Sequence, residues 1–430
     1  MNDLKNEKIP WTPKDEQEHF PCILEWWAGI SFFKTVEDNK KWNFKAVFTQ
    51  WFENKKDIGS KLYFNLYDLD KNEHFTYEKR KDNIKLESAK GKLDLKFDEC
   101  YVKGTYPNYE FLIIDKKNDI KINISYESQA HPHWIAQDVT DGWLPMGFGF
   151  YRYSFVPNNK TKGTLEIKGK KYKIEGTGYF EHVWGDFWYD NPFGNIFGFR
   201  KTLPVYGKLF KWWKNNNKIT IPNSIKFGTE NNPFGYDWAW AVFDNGWSVF
   251  YGNILFFIME GPVAGILIFT KDGKTYKEFS NISFKYNNTF NAKNYDFVYP
   301  NEFELVARYK NEELNLKFKM ISEPIEYTSK FPSSKIFHGF VICEGPGIVE
   351  GYYSDGKSRV KLSGISRIEP QRQASVIGHN SIDIHFIKPP KGVGFSILLE
   401  SNLLKKKAFI RLKFAPKLKI NFHTEKIKRP

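Results

Sequence analysis

A chain of 430 residues, 41% hydrophobic and 18% aromatic, carries enough bulky surface to bury a sizeable core, which excludes extended disorder. Lys plus Arg is 64 against 50 for Asp plus Glu, a net charge of +14, yet the lysines are scattered and no long basic run or groove-reading signature occurs, so nucleic acid is not an expected partner. Cys22, Cys100 and Cys343 lie far apart with no CxxC, which argues against a disulfide framework or thiolate zinc site and for a reducing, cytoplasmic setting.

The N-terminus, MNDLKNEKIPWTPKDEQ, lacks the apolar core of a signal peptide. Beyond it strand signals dominate. Lys61–Asp68, Phe111–Asp115, Ile120–Tyr126, Thr164–Ile167, Tyr172–Glu175 and Gly178–Trp184 alternate apolar with polar residues between turn residues. One weak helix is expected over Leu203–Trp213, inside a Lys- and Asn-rich stretch. Strand signals resume over Ala239–Tyr251, Glu302–Tyr309, Leu314–Met320, Phe337–Cys343, Arg359–Ser363 and Ala408–Phe414. The apolar run Gly252–Phe269, broken by Asn253, Glu260 and Pro262, reads as two strands joined at Glu260-Gly261-Pro262 rather than a membrane span. The expected fold is all-β and built from barrels or sandwiches.

A degenerate internal repeat supports two barrels. Glu25-Trp26-Trp27 resembles Asp237-Trp238-Ala239-Trp240, and Gly176 to Glu181 resembles Gly364 to Glu369 at its Gly and Glu positions, in the same order in each half. The expected organisation is an N-terminal barrel over 1–200, a basic and aromatic insertion over 201–232, and a C-terminal barrel over 233–430. In FRKTLPVYGKLFKWWKNNN, residues 199–217, basic residues mix with Trp, Phe and Leu. Two readings stay open there: peripheral contact with an anionic membrane, or an insertion whose Trp212 and Trp213 pack on a barrel.

The segment GTGYFEHVWGDFW, 176–188, is the richest in chemistry. On an extended strand Phe180, His182 and Trp184 share one face, and Tyr179, Glu181 and Val183 the other. His182 is either the neutral, desolvated histidine of an apolar cavity or a core histidine tied to a backbone carbonyl. Glu181 is then an exposed or interdomain carboxylate. His131-Pro132-His133 lacks a third ligand at metal spacing, Asp383 and His385 share a face beyond His379, and no GxSxG, Walker or GxGxxG motif is present, so no metal or cofactor is expected.

Glu25-Trp26-Trp27, then Gly178-Tyr179-x-Glu181-His182-x-Trp184-Gly185, then Trp238-x-Trp240, resembles the carotenoid 1,2-hydratase (hydroxyneurosporene synthase) superfamily, to which tocopherol cyclase is related. The resemblance implies two tandem lipocalin-like β-barrels and a hydrophobic, isoprenoid or lipid-like ligand near the domain junction. It makes His182, Trp184, Tyr251 and Asp237 the expected catalytic residues, and Trp26, Trp27, Phe180, Trp238 and Trp240 the expected ligand walls. Hydrating a C=C bond needs a protonated carboxylic acid, aromatic faces for the cation and restricted water. The hydratases place a Tyr and an Asp on the strand matching Ser248–Ile254. This chain has Tyr251 but no carboxylate there, with Asp237 and Asp244 flanking. Hydratase-, cyclase- or isomerase-type catalysis and a non-catalytic carrier or sensor are therefore both expected functions, against barrels filled by their own aromatics.

Overall fold

The computed structural model describes residues 11–54, 57–188, 196–217, 224–227, 234–256, 264–293, 298–330, 337–375, 382–387, 394–401, 406–414 and 418–426. The first antiparallel sheet comprises β1 (Leu24–Thr35), β2 (Lys41–Asn54), β3 (Asp57–Asp68), β4 (Glu73–Asp82), β5 (Glu87–Ser88), β6 (Leu93–Phe97), β7 (Cys100–Thr105), β8 (Asn108–Asp115), β9 (Ile120–Ser128), β10 (His133–Trp134), β11 (Trp143–Met146), β12 (Gly149–Ile167) and β13 (Lys170–Asp186). Its order is β4-β3-β2-β1-β13-β12-β9-β8-β7-β6-β5, with β10 and β11 beside β12. Thus the first strand is hydrogen-bonded to the last, and the sheet curls around a core that includes Trp27, Phe44, Phe48, Phe64, Phe111 and Phe180.

After β14 (Ser224–Phe227), the second sheet comprises β15 (Phe234–Phe243), β16 (Ser248–Phe256), β17 (Ala264–Thr270), β18 (Tyr276–Phe279), β19 (Asn281–Asn291), β20 (Val298–Tyr309), β21 (Glu312–Met320), β22 (Ile325–Lys330), β23 (Phe337–Ser354) and β24 (Arg359–Ser375). Its order, β18-β17-β16-β15-β24-β23-β21-β20-β19, repeats the first sheet's plan of first strand against last. The fold is two lipocalin-like antiparallel half-barrels in tandem. The repeated sequence elements sit on matching faces but not in matching register: Glu25 lies opposite Trp184 and Asp237 opposite Pro370, while Glu181 lies opposite Ala28 and Glu369 opposite Trp238.

Two features differ from the sequence reading. Ala239–Tyr251 is a hairpin rather than one strand, because Asp244-Asn245-Gly246 turns the chain, with Gly246 at a φ of 83° that side chains disfavour. The strands after Ser375, β25 (Ile382–Ile387), β26 (Gly394–Ser401), β27 (Lys406–Phe414) and β28 (Leu418–Lys426), pair with β14 in a separate five-stranded sheet. The joint at Glu260-Gly261-Pro262 lies outside the described residues. The weak helix is real and longer, α2 (Ile196–Asn216), following a one-turn α1 (Gln137–Thr140). Tyr206 and Thr202 of α2 donate to the carbonyls of Gly147 and Phe148, both at 2.8 Å, anchoring it to the first barrel. Among the described residues, no helix is long and apolar enough to cross a membrane, and the three cysteines are free thiols.

The half-barrels pack through their outer faces. Alternation turns Trp26, Ile30 and Phe32 of β1 outward, and Trp238, Trp240 and Val242 of β15 likewise, so the two rows meet in a shared apolar layer. Burying a large apolar side chain is worth roughly 1.5–3 kcal/mol, and this layer holds several. At the β12 bulge between Val156 and Asn159, the Pro157 carbonyl turns across to accept the Trp240 indole N–H at 2.7 Å.

Beside that layer lies a buried polar seam. Lys45 from β2 reaches Glu344 and, at 2.5 Å, Glu369. Arg367 approaches Glu344 at 3.3 Å and donates to Asn43 and Asn65. The Tyr63 hydroxyl and Asn65 amide donate to Glu344 at 2.9 and 2.7 Å. Removing one partner of a buried ion pair strands the other charge, at about 3–5 kcal/mol. Lys45→Met is expected to lower unfolding free energy by about that amount, whereas Lys79→Met, which breaks the exposed pair with Asp98, should cost less than about 1 kcal/mol. Equal urea midpoints for the two variants would show that the seam is solvated.

Candidate functional site

Strand β13 is threaded between β1 and β12, and its motif glycines are set by that crowding. A Cβ at Gly178 would lie 2.6 Å from the Ile30 carbonyl oxygen, and one at Gly185 2.3 Å from that of Phe150. Between them the side chains alternate, so one strand serves two sites: His182 and Trp184 face into the first barrel, and Tyr179 and Glu181 face the junction.

Inside the barrel, His182 is fully buried, stacked on Trp27 at 4.4 Å and tilted against Trp184 at 4.6 Å. Its Nδ1 donates to the Asp15 carbonyl at 2.8 Å, the core-histidine arrangement. Its Nε2 lies 2.9 Å from Glu25, a partner the spacing alone did not reveal. Burial tends to raise the Glu25 pKa, but hydrogen bonds and charge from His182 and His19 prevail and hold it at about 2. Gln50 donates to its other oxygen at 2.8 Å. The turn Pro13–Glu16 plugs this end of the barrel: the Trp27 indole donates to the Glu16 carbonyl at 2.9 Å, and Tyr109 and the Tyr106 N–H donate to the Glu16 carboxyl. Phe180 stacks on Tyr109 at 4.2 Å within the core. His182 therefore lies in a packed polar plug, not in an apolar cavity.

Tyr251 and Asp237 belong to a different cluster, inside the second barrel. Asp237 pairs with Arg372 at 2.8 Å and accepts from Tyr286 and, at 3.0 Å, from Asn253. The Asn253 amide also donates to the Tyr251 hydroxyl at 3.0 Å. The structure thus does not join these residues to His182 and Trp184 in one pocket, because each pair faces the inside of its own barrel.

The outward face supplies the carboxyl groups that the second-barrel strand lacks. Glu181, 9% exposed, accepts from the Tyr153 and Tyr179 hydroxyls, the latter at 2.9 Å, and from the Trp26 indole at 3.0 Å. Its neighbours across the strands are small or apolar: Ala28 opposite in β1 and Phe155 opposite in β12. Tyr179 packs against Trp238 and Trp240 at 5.5 and 5.3 Å, and Phe250 meets Tyr153 at 5.6 Å. The buried Trp238 indole N–H has no acceptor among the described residues. On the closing strand of the second barrel, Glu369 accepts from Tyr236 at 2.7 Å. Burial, with the charge of Glu344 beside it, keeps its pKa raised despite Lys45, while Lys45 and Arg367 draw Glu344 down against its own burial.

Of the expected residues, the junction therefore gathers Trp26, Trp238 and Trp240, while Trp27, Phe180, His182 and Trp184 line the first barrel's interior. Alternation already set Glu181 and Tyr179 on one face, and the repeat singled out Glu369. Tyr153, Tyr236, Lys45 and Glu344 carried no local signal, since only strand pairing brings them in. The His131 ring meets the Tyr106 hydroxyl of its own barrel at 3.2 Å, while buried His133 stacks on Tyr276 and meets Glu278 at 3.2 Å, bracing the barrels against each other. His379 and the side chains of Asp383 and His385 lie outside the described residues.

No family profile matches the sequence, and no curated protein does. Solved structures do match the fold. A Nitrosomonas europaea protein provisionally assigned as AttH is 15% identical, over 86% of this chain and 99% of that one, with a TM-score of 0.57. Kievitone hydratase from Nectria haematococca is 13% identical, over 85% and 94%, also at 0.57. CghA with Sch210972 is 9% identical, over 83% and 89%, at 0.51. At these identities the likeness is one of fold.

The plug carries a pH signature. Burial raises the Glu16 pKa from 4.5 to about 7, against the hydrogen bonds from Tyr109 and Tyr106. A carboxyl whose pKa is raised on folding stabilises the native state fully below 4.5, and that contribution is lost as pH rises through about 7. Relative to Glu16→Gln, whose amide mimics the protonated acid, the unmodified chain should lose on the order of 3 kcal/mol between those limits. Urea unfolding at a series of pH values checks this, and parallel curves would refute it.

Proposed function

We propose that the protein is an enzyme of the hydratase or cyclase type, acting by proton transfer on a hydrophobic, isoprenoid or lipid-like alkene at the junction of the two barrels. The observation that carries this reading is the Glu181 site: a nearly buried carboxyl, held by two tyrosine hydroxyls and an indole, in an aromatic surround shared by both barrels. The fold shared with kievitone hydratase, whose name states a hydration, is consistent with it. The motif resemblance to the carotenoid 1,2-hydratase superfamily points the same way, with the paired Gly-Glu elements read as the trace of a tandem duplication.

The chemistry divides between two carboxyl groups in contrasting settings. Glu369, whose pKa burial and the neighbouring Glu344 raise, is the acid that delivers a proton to the double bond. The rings of Tyr179, Trp238 and Trp26 stabilise the resulting cation. Glu181, which accepts hydrogen bonds from two hydroxyls and an indole, takes the proton from the attacking water or from the adjacent carbon. Tyr179 donates to Glu181 at 2.9 Å and holds it beside the aromatic rings. The reaction needs no cofactor. His182 and Trp184, on the opposite face of β13, hold the strand that aims Glu181.

A carrier or sensor of the same ligand is the second reading, favoured by the lack of a carboxylate over Ser248–Ile254, the stretch matching the hydratase strand that bears an acid, where Asn253 donates its amide to Asp237 and Tyr251. The outer side of α2 supports peripheral membrane contact, the route by which an apolar ligand arrives: Leu203 and Phe210 are 55% and 57% exposed among Lys201, Lys208, Lys211 and Lys214.

The test is incubation with linear and prenylated alkenes in deuterated water, read by mass spectrometry. Deuterium uptake with gain of water, or with ring closure, is expected for the unmodified chain, and a loss of roughly 100-fold or more for Glu181→Gln and Glu369→Gln. Binding of the same alkenes without deuterium uptake would establish the carrier, and neither binding nor uptake would sink both readings.

A further inference from the structure

We infer that His19, Glu25 and His182 form a binding site for a divalent transition-metal ion of the zinc class, which ties the N-terminal segment to the seam of the first barrel. This inference is independent of the junction chemistry, since these residues face the barrel interior. Their ligand atoms, one from each residue, all lie within 4.8 Å of one another. His19 Nδ1 is 3.2 Å and His182 Nε2 2.9 Å from Glu25 Oε1. Zinc bonds to nitrogen and carboxylate oxygen of about 2.0–2.2 Å in a tetrahedron put neighbouring ligands roughly 3.3–3.5 Å apart. The two carboxylate–imidazole distances therefore need to open by only a few tenths of an ångström, the two imidazole nitrogens lie within 4.8 Å of each other, and His19, 26% exposed, lies on the side from which an ion enters.

The surroundings fit a metal ligand set. The Asp15 carbonyl can only accept, so the hydrogen on His182 sits on Nδ1 and the lone pair of a neutral ring points from Nε2 at Glu25. A lone pair facing a carboxylate oxygen at 2.9 Å repels it unless a cation or a proton lies between them. The backbone carbonyl on the far nitrogen is the second partner that metal-bound histidines ordinarily have. Gln50 orients the carboxylate in the same way through its other oxygen, at 2.8 Å. Both rings are held flat against indoles, His19 on Trp184 at 3.8 Å and His182 on Trp27 at 4.4 Å, which fixes their direction. Cys22 lies outside this set, its sulfur 3.9 Å from the other Glu25 oxygen. Two imidazoles and one carboxylate leave a fourth position for water, a donor set that suits zinc, cobalt and iron(II).

The experiment is titration of the full chain with Co(II), read by the visible absorption of four- or five-coordinate cobalt, and with Zn(II) by calorimetry. One ion per chain is expected. His19→Ala, which removes the partly exposed ligand while the plug and core remain, should abolish that binding with an unchanged far-ultraviolet spectrum. Gln50→Ala should weaken it roughly 10- to 100-fold, the cost typical of losing an outer partner. Chelation should lower the melting temperature of the unmodified chain but not of His19→Ala. Absence of the cobalt spectrum, or equal zinc binding by the unmodified chain, His19→Ala and Glu25→Gln, would overturn the site, the former leaving a shared proton between His182 and Glu25.

Discussion

The ammonium of Lys45 lies between two sheets in a space where carboxylates take the place of water, and the rest of the architecture is built around keeping it there. An unpaired charge in that position would be several kcal/mol less stable than in solvent, so β2 of the first barrel is tied to β23 and β24 of the second. Arg367 from the second barrel completes the balance by reaching back to Asn43 and Asn65. The cation of the first half-barrel is thus neutralised by carboxylates of the second, which also sets Arg367 beside Glu344. The apolar layer of Trp238, Trp240, Ile30 and Phe32 contributes more burial, but it is non-directional. The ionic seam is what sets one relative placement, and with it the distance between Glu181 and Glu369.

The same constraint explains why acid groups with opposite properties lie close together. Glu344 has two cations at hand and stays ionised, while Glu369 shares one of them and retains its proton more readily. Glu181 has no cation among its hydrogen-bond partners, only hydroxyls and an indole. Three buried carboxyl groups in one layer thereby acquire three different settings from their neighbours alone. Inside the barrels the pattern repeats in another form, with Glu25 against two imidazoles and Asp237 against Arg372.

Much of this was legible in the sequence wherever period two governs. The alternation of Gly178–Trp184 assigned His182 and Trp184 to one face and Glu181 to the other, and the acid-Trp and Gly-Glu elements marked the strands that close each half-barrel. The two-barrel fold followed from the same signals. What was not legible depends on partners far along the chain: Tyr153 on β12, Tyr236 on β15, and Lys45, whose carboxylates lie almost 300 residues away or more. That His182 and Tyr251 lie inside different barrels was not legible, because strand parity says which face a residue takes but not which of two barrels that face encloses. The strands after Ser375 carried the ordinary strand pattern, and nothing local told that they hydrogen-bond among themselves and to Ser224–Phe227.

The pairing of first strand with last has a bearing on how the chain is made. On the ribosome β1 emerges early, yet its partner β13 follows only after the intervening strands, and the turn at Pro13–Glu16 has no barrel to plug until then. Non-local closure of this kind is slow. Once the first half-barrel closes, Lys45 still faces water, because Glu344, Arg367 and Glu369 have yet to be synthesised. The nascent first half is thus a folded body with a wet, basic flank and a row of uncovered outward aromatics. It gains its final solvent boundary only when β23 and β24 dock, so translation order makes the second half the cover of the first.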